Sequence, residues 1–256
     1  RYRRGVGDVF ALGSEIARSI GAEVGQGPAA DPAQPVTSSS TNPEAVDAYT
    51  FGVFHLEQRS REGFEQAIRY FQLAIEKDSA FAPAYTGLAT AHGSGTFFGL
   101  SRPSASLPRV AELAETALRL DPSSAEAHTV LSAVNLYWLR DLEAAEARAR
   151  RAIALNPSFA EAHRVLSEVL SVTGRYRAAL TVVEHASELE PLLPFSAFRP
   201  VVVLIDMRDF DAAIERARAG LEFHPSFWQG NWLLCLALAG DCLLYTSDAA
   251  DEEDSV

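Results

Sequence analysis

The sequence predicts an all-α protein, a helical solenoid of about five and a half helix pairs. The first observation is a six-residue motif that recurs four times and ends with proline each time. It reads ALRLDP, AIALNP, ASELEP and GLEFHP, and it ends at Pro122, Pro157, Pro191 and Pro225, spaced by 35, 34 and 34 residues. The second is that small residues recur in register between larger apolar ones. The third is composition, since 48% hydrophobic residues supply a continuous core.

The repeat that ends at Pro191 shows the pattern without a gap. Its inward positions are His163, Leu166, Ser167 and Leu170 on the first helix, Ala179, Val183 and Ala186 on the second, with a turn at 174–176. This pattern resembles the tetratricopeptide repeat (TPR), which places two antiparallel helices in 34 residues. The resemblance implies a right-handed superhelical solenoid of antiparallel helix pairs. Small residues let the helix backbones approach, and the larger side chains fill the spaces left between them. The closing proline ends one repeat because it cannot continue a helix.

The other repeats follow the same register with local departures. The first has Gly52, Ala67, Phe71 and Ala74, with Ser79 in place of the closing proline; the second has Tyr85, Leu88, Ala89 and Ala117, with about nine extra residues between its helices; the third has Leu131, Ser132, Ala145, Ala149 and Ala152, with one extra residue in its turn; the fifth has Ala197, Val201, Leu204, Ala213, Ala217 and Gly220. Pro200 is expected to kink the first helix of the fifth repeat. A sixth repeat is expected to begin at Trp228 and to stop after Leu238.

The chain divides into four segments by composition. Residues 1–24 are predicted to close an upstream domain with an amphipathic helix, because apolar residues recur at helical spacing. Residues 25–43 are rich in Pro, Gly and Ser and predict a linker. Residues 44–241 hold the predicted solenoid. Residues 242–256 begin with CLLYTSDAADE, which matches the translation of a sequencing adapter, so we expect that they are not natural sequence.

The first 24 residues carry a second resemblance. Arg1, Tyr2, Arg4, Asp8, Phe10, Ala11, Leu12, Glu15, Ile16 and Ala17 match the end of a Tolb-like domain that precedes such repeats in certain bacterial signalling proteins. The usual Gln-Asp before the glutamate is Gly13-Ser14 here. The resemblance implies a piece of a longer protein, headed by a nucleotide cyclase, a serine/threonine kinase or a winged-helix DNA-binding domain.

Composition excludes several kinds of function. The net charge of −12 argues against nucleic acid, which requires a basic face. Cys235 and Cys242 have no zinc-type spacing, and no apolar run is long enough to span a membrane. We therefore expect a cytoplasmic protein without a membrane segment in these residues.

The sequence predicts neither an enzyme nor a cofactor or metal site. His128 and His163 occupy equivalent positions in successive repeats and could form a ladder, but the same position holds Tyr85, so we expect that it accepts any ring. GSGTFFGL, from Gly93, has neither phosphate-loop spacing nor a preceding strand. No nucleophile elbow or zinc-type histidine pair is present.

The resemblance implies instead a scaffold that binds a protein or peptide partner in its concave groove. The family's groove positions fall on Tyr49, Val53, Thr86, Thr90, Glu126, Thr129, Tyr137, Glu161, Arg164, Glu168, Phe198, Val202 and Ile205. We expect apolar anchors around a small charged centre at Arg164. Two alternatives stay open: the groove packs against its own protein, and the insertion 93–107 either contacts a partner through Phe97 and Phe98 or folds back over its own helices.

Overall fold

The computed structural model describes residue 40 and residues 42–253, with side chains described as far as residue 241. Within these residues the chain forms eleven α-helices and no strand. They are α1 (Pro43–Glu57), α2 (Arg61–Lys77), α3 (Ala82–Phe97), α4 (Pro103–Leu120), α5 (Ala125–Val134), α6 (Leu142–Leu155), α7 (Ala160–Val172), α8 (Tyr176–Leu189), α9 (Pro194–Asp206), α10 (Phe210–Phe223) and α11 (Trp228–Glu253), with a π turn at Asn135–Leu139 after α5. Contacts divide the chain into unit 1 (residues 1–102) and unit 2 (residues 103–256).

Short polar side chains start several of these helices. Such a side chain accepts a hydrogen bond from a backbone N–H of the first turn, which has no partner within the helix. Ser60, Ser124, Asp141 and Asp209 cap α2, α5, α6 and α10 in this way. The polar residues between the apolar stripes therefore set where the helices begin.

The loops that join one helix pair to the next share one conformation. In three of them an Asp or Asn side chain accepts a hydrogen bond from the backbone N–H two residues later: Ala80 to Asp78 at 2.9 Å, Ser123 to Asp121 at 2.9 Å, and Ser158 to Asn156 at 3.2 Å. This is the turn that Asp and Asn favour. The Asp-Ser, Asp-Pro and Asn-Pro pairs at residues 78, 121 and 156 thus form equivalent turns.

Unit 1 packs α1, α2 and α3 against one another around Phe71. The Phe71 ring is fully buried and fills the space over Gly52 of α1 and Gly87 of α3. A Cβ atom at either glycine would lie within 2.6 Å of this ring. Glycine is therefore needed at both positions because the ring lies where a side chain would otherwise stand.

Unit 2 is an array of helix pairs in which each helix packs on the next along the chain. A serine of the first helix binds the second helix of its own pair in two successive repeats. Ser132 donates to the carbonyl of Ala145 at 2.6 Å, and Ser167 donates to that of Ala179 at 2.9 Å. The small residues predicted from sequence therefore let the backbones approach closely enough for direct hydrogen bonds.

The helix that contains Pro200 runs without interruption from Pro194 to Asp206. Proline has no N–H, so it leaves the carbonyl four residues earlier, that of Ser196, without its helical partner. The Ser187 hydroxyl of α8 lies 2.7 Å from this carbonyl. A side chain of the neighbouring helix thus replaces the missing backbone donor, and the helix continues through Pro200, while the expected kink stays a prediction.

Two boundaries differ from those that the sequence predicted. The second repeat is divided, because α3 belongs to unit 1 and α4 to unit 2. The first helix of the sixth repeat begins at Trp228 as predicted, but it continues to Glu253 instead of stopping after Leu238. Neither glycine nor proline follows Gly240 to end it. That residues 242–256 translate an adapter stays a prediction about the origin of the sequence.

Candidate partner-binding surface

The first helices of successive pairs lie side by side in unit 2. α5 contacts α7, α7 contacts α9, and α9 contacts α11. In stacked helix pairs such a row forms one continuous wall. The groove residues predicted for this unit lie on α5, the π turn, α7 and α9. They therefore belong to this wall, and their neighbours on it determine what they can bind.

Glu161, Arg164 and Glu168 form a row of ion pairs along α7. The Arg164 Nε donates to a Glu161 oxygen at 2.7 Å, and its terminal nitrogens donate to both carboxylates. Its side chain is only 18% exposed. Burial disfavours the charged guanidinium, but the charges of Glu161 and Glu168 outweigh it and raise the pKa of Arg164. The arginine is thus held charged with its bonding groups directed at its own helix.

Glu168 joins three elements of the wall. It accepts from Arg164 on its own helix, from the Tyr137 hydroxyl of the π turn, and from a terminal nitrogen of Arg199 on α9 at 3.1 Å. We call Tyr137, Glu161, Arg164, Glu168 and Arg199 the charged cluster. With two arginines and two glutamates it has no net charge.

Tyr137 presents two different environments. The residue is 56% exposed, whereas its hydroxyl lies among the charged groups. Loss of water around the hydroxyl, and then the negative charge of Glu168, raise the pKa of this phenol well above its ordinary value. The hydroxyl therefore stays protonated and acts as a donor, while the ring offers apolar surface to solvent.

Arg199 is the member of the cluster that the sequence did not predict. Its guanidinium lies over the Phe195 ring, 4.4 Å from the ring centre, and its Nε is buried without a hydrogen-bond partner. Burial and the charge of Arg164 lower the pKa of Arg199. The sequence spacing could have indicated it, because Tyr137, Glu168 and Arg199 follow one another at intervals of 31 residues, close to the repeat period.

Apolar side chains lie exposed on the elements that carry the cluster. The third repeat has one extra residue, and the chain accommodates it as the π turn, which ends at Arg140 in the left-handed region with φ 57°. Such insertions frequently mark functional positions. Tyr137, Trp138 and Leu139 are all exposed there, as are Val172 of α7 and Val202 of α9. The wall thus combines the charged cluster, which has no net charge, with exposed apolar groups.

Three of the predicted groove residues are buried and offer no side-chain surface to a partner. They are Phe198, Thr86 and Thr129. The Phe198 ring is 2% exposed and fills the space over Gly220 and Gly230, where a Cβ atom would lie 2.8 Å and 2.5 Å from it. The Thr129 hydroxyl donates to the Ala125 carbonyl of its own helix. Packing therefore takes these side chains into the core, and Arg199 lies on the surface beside Phe198.

The other predicted positions differ in exposure. In unit 2, Glu126 is exposed and accepts from the Ser124 hydroxyl, while Ile205 is half-buried against the core of α9 and α10. In unit 1, Tyr49, Val53 and Thr90 are half-buried. Tyr49 packs its ring against Phe71 and Phe81, with ring centres 5.6 and 5.3 Å apart. The Tyr49 ring therefore packs in large part against the core of unit 1.

The insertion folds back in part. Phe98 packs against Phe64 of α2, with ring centres 5.2 Å apart, whereas Phe97 at the end of α3 is 86% exposed. One of the two phenylalanines thus supports unit 1, and the other remains on its surface.

The ring position shared by Tyr85, His128 and His163 has a structural role. The Tyr85 hydroxyl donates to the Ser79 carbonyl at 3.1 Å, the His163 Nε2 lies 2.8 Å from the Pro157 carbonyl, and the His128 ring is hydrogen-bonded to the Pro122 backbone. Each acceptor is the closing residue of the preceding repeat. Within the described residues no cluster of three or more His, Cys, Asp or Glu could hold a metal ion. No helix among them is both long and apolar enough to cross a membrane.

Comparison with solved structures defines the class of fold. The chain is similar to a thermophilic TPR protein of Thermus thermophilus, with 20% identity, a TM-score of 0.63, and coverage of 76% of this chain and 99% of that one. It is also similar to pilF of Pseudomonas aeruginosa, with 20% identity, a TM-score of 0.56, and coverage of 83% and 90%.

The fold is therefore all-α and of the TPR type. No family model matches the chain. The curated proteins hold no match to it either.

Proposed function

We propose that this protein is a non-enzymatic scaffold that binds a peptide segment of a partner protein on the wall formed by α5, the π turn, α7 and α9. The observation that carries the proposal is the exposed apolar surface of Tyr137, Trp138, Val172 and Val202 on the elements of the charged cluster. Apolar anchors beside polar groups of fixed geometry are the arrangement that peptide grooves use.

The charged cluster restricts the chemistry of the partner. Arg164 is already paired with two glutamates of its own helix, so it does not offer an open clamp for a strongly acidic peptide. Binding then depends mainly on burial of apolar side chains, and the cluster fixes the orientation of the bound segment. This favours an extended or helical segment with apolar anchors and little net charge.

Selection from a random peptide library tests the proposal. Peptides that bind the wild-type chain should bind Val172→Asp at least about tenfold more weakly, because a charge would replace an exposed apolar contact on α7. Phe223→Asp is the matched control, since Phe223 is exposed at the end of the second helix α10. Failure to select any peptide, or equal losses for the two variants, would refute the proposal.

A second candidate function rests on the match of residues 1–24 to the Tolb-like pattern. We propose as the alternative that the chain is the regulatory region of a bacterial nucleotide cyclase, serine/threonine kinase or winged-helix transcription regulator. The matching residues lie outside those that the structure describes. The coding sequence upstream of Arg1 tests this alternative, because it predicts one of these three domains there and is refuted by any other.

A further inference from the structure

Four aromatic side chains form a surface patch on unit 1. Phe51 stacks on Tyr70 with ring centres 5.4 Å apart, Tyr70 stacks on His55 at 5.3 Å, and Phe54 meets His55 edge-on at 5.3 Å. We call Phe51, Phe54, His55 and Tyr70 the aromatic patch. Phe51 is 49% exposed and Phe54 is 62% exposed.

The core of unit 1 uses other residues of the same helices. The buried positions of α1 are Ala45, Ala48 and Gly52, and those of α2 are Gly63, Phe64, Ala67, Phe71 and Ala74. The aromatic patch therefore lies outside this core, with Phe51 and Phe54 exposed and His55 and Tyr70 half-buried. Within this patch the His55 Nδ1 is buried without a hydrogen-bond partner. Contiguous exposed aromatic groups of this kind mark an interaction surface.

We propose that residues 9–24 of the same chain dock on the aromatic patch as an amphipathic helix. This segment places Val9, Phe10, Leu12, Ile16, Ile20 and Val24 near one face. A helix of about 16 residues is marginal on its own in water, so it needs a surface to cover its apolar face. The proposal is independent of the partner-binding function, because the patch belongs to unit 1. It is an alternative to the expectation that residues 1–24 pack within an upstream domain.

The length of the tether favours this occupant. Residues 25–42 join the segment to α1, and 18 extended residues span up to about 60 Å, so the patch is within reach. A tether of this kind gives an effective concentration on the order of millimolar, far above that of a second copy in dilute solution.

Hydrogen exchange on the full chain tests the docking. Amides of residues 9–24 should exchange about tenfold or more slower than in the free peptide, because docking protects a helix that is marginal alone. Phe54→Ser should remove this protection. Phe97→Ser is the matched control, because Phe97 is an exposed aromatic of the same unit outside the patch, and it should leave the protection unchanged.

The reciprocal substitutions test the segment itself. Ile16→Glu lies on its apolar face and should remove the protection, whereas Ser14→Glu lies on its polar face and should retain it. Absence of protection in the wild-type chain, or protection that survives Phe54→Ser, would overturn the proposal. Sedimentation at several concentrations measures dimerisation. Protection that appears only as the protein dimerises would also overturn the proposal and identify a second copy as the occupant.

Discussion

At the scale of single residues, Gly87 shows how closely unit 1 is packed. A Cβ atom there would lie 2.5 Å from the buried Phe71 ring. Glycine to alanine within a helix usually stabilises a protein by about 0.5–1 kcal/mol. We expect the opposite sign for Gly87→Ala, a loss of about 1–3 kcal/mol, because the ring cannot move in a filled core.

Urea unfolding measures this effect, and Gly95→Ala is its control. Gly95 lies in the same helix, but the nearest atom to its added Cβ, on Leu100, is 3.4 Å away. This substitution should be neutral or stabilising. A stabilising Gly87→Ala would show that the space over Phe71 is larger than the structure has it.

His128 and His163 make stability depend on pH. Burial lowers the pKa of both imidazoles below their ordinary value. The folded state therefore prefers the neutral rings, so the free energy of unfolding falls as pH drops through the unfolded pKa of about 6.5 toward the lower folded values. Replacing both by tyrosine, as in Tyr85, removes these titrations.

Thermal melts between about pH 5 and pH 7.5 check this expectation. The melting temperature of the double tyrosine variant should vary less with pH over this range than that of the wild-type chain. An equal or steeper pH dependence in the variant would show that other groups cause it.

At the scale of helices, Ser187 supports α9 across the gap that Pro200 leaves. Its hydroxyl lies 2.7 Å from the Ser196 carbonyl and 2.9 Å from the Val183 carbonyl of its own helix. Ser187→Ala should destabilise unit 2 by about 1 kcal/mol, because the Ser196 carbonyl loses its donor.

A double-mutant cycle with Pro200→Ala separates this role from general packing. Alanine at position 200 restores a backbone N–H for the Ser196 carbonyl, so Ser187→Ala should cost less in that background. Equal costs in both backgrounds, measured by chemical denaturation, would exclude the proposed role of the serine.

The helix pairs could be predicted from sequence because each repeat shows the same stripe of small and large residues. The extra residue of the third repeat was visible too, but its conformation was not. A π turn and a longer loop both absorb one residue, and the register of the repeats does not distinguish between them.

The candidate surface was predicted only in part for a similar reason. Glu161, Arg164 and Glu168 lie at helical spacing on one helix, so their proximity follows from sequence alone. Phe198 occupies the same register position as Arg164 yet is buried over two glycines, and its neighbour Arg199 joins the cluster. Contacts between neighbouring helix pairs determine that Phe198 is buried and that Arg199 joins the cluster. A repeat template contains no information about these contacts.

At the scale of the whole molecule, the chain has two units of helices with separate surfaces. Unit 2 carries the row of first helices and the charged cluster, and unit 1 carries the aromatic patch. In arrays of this kind each pair is stabilised mainly by its neighbours, so a surface substitution in one pair should leave the others folded. The two proposed surfaces can therefore be tested separately in the full chain.

Hydrogen exchange with a selected peptide tests the central claim most directly, because it shows which helices the peptide covers. The account predicts slower exchange in the π turn and in the first helices α7 and α9, around Tyr137, Arg164 and Arg199, with little change in α6, α8 and α10. Protection confined to these second helices would contradict it.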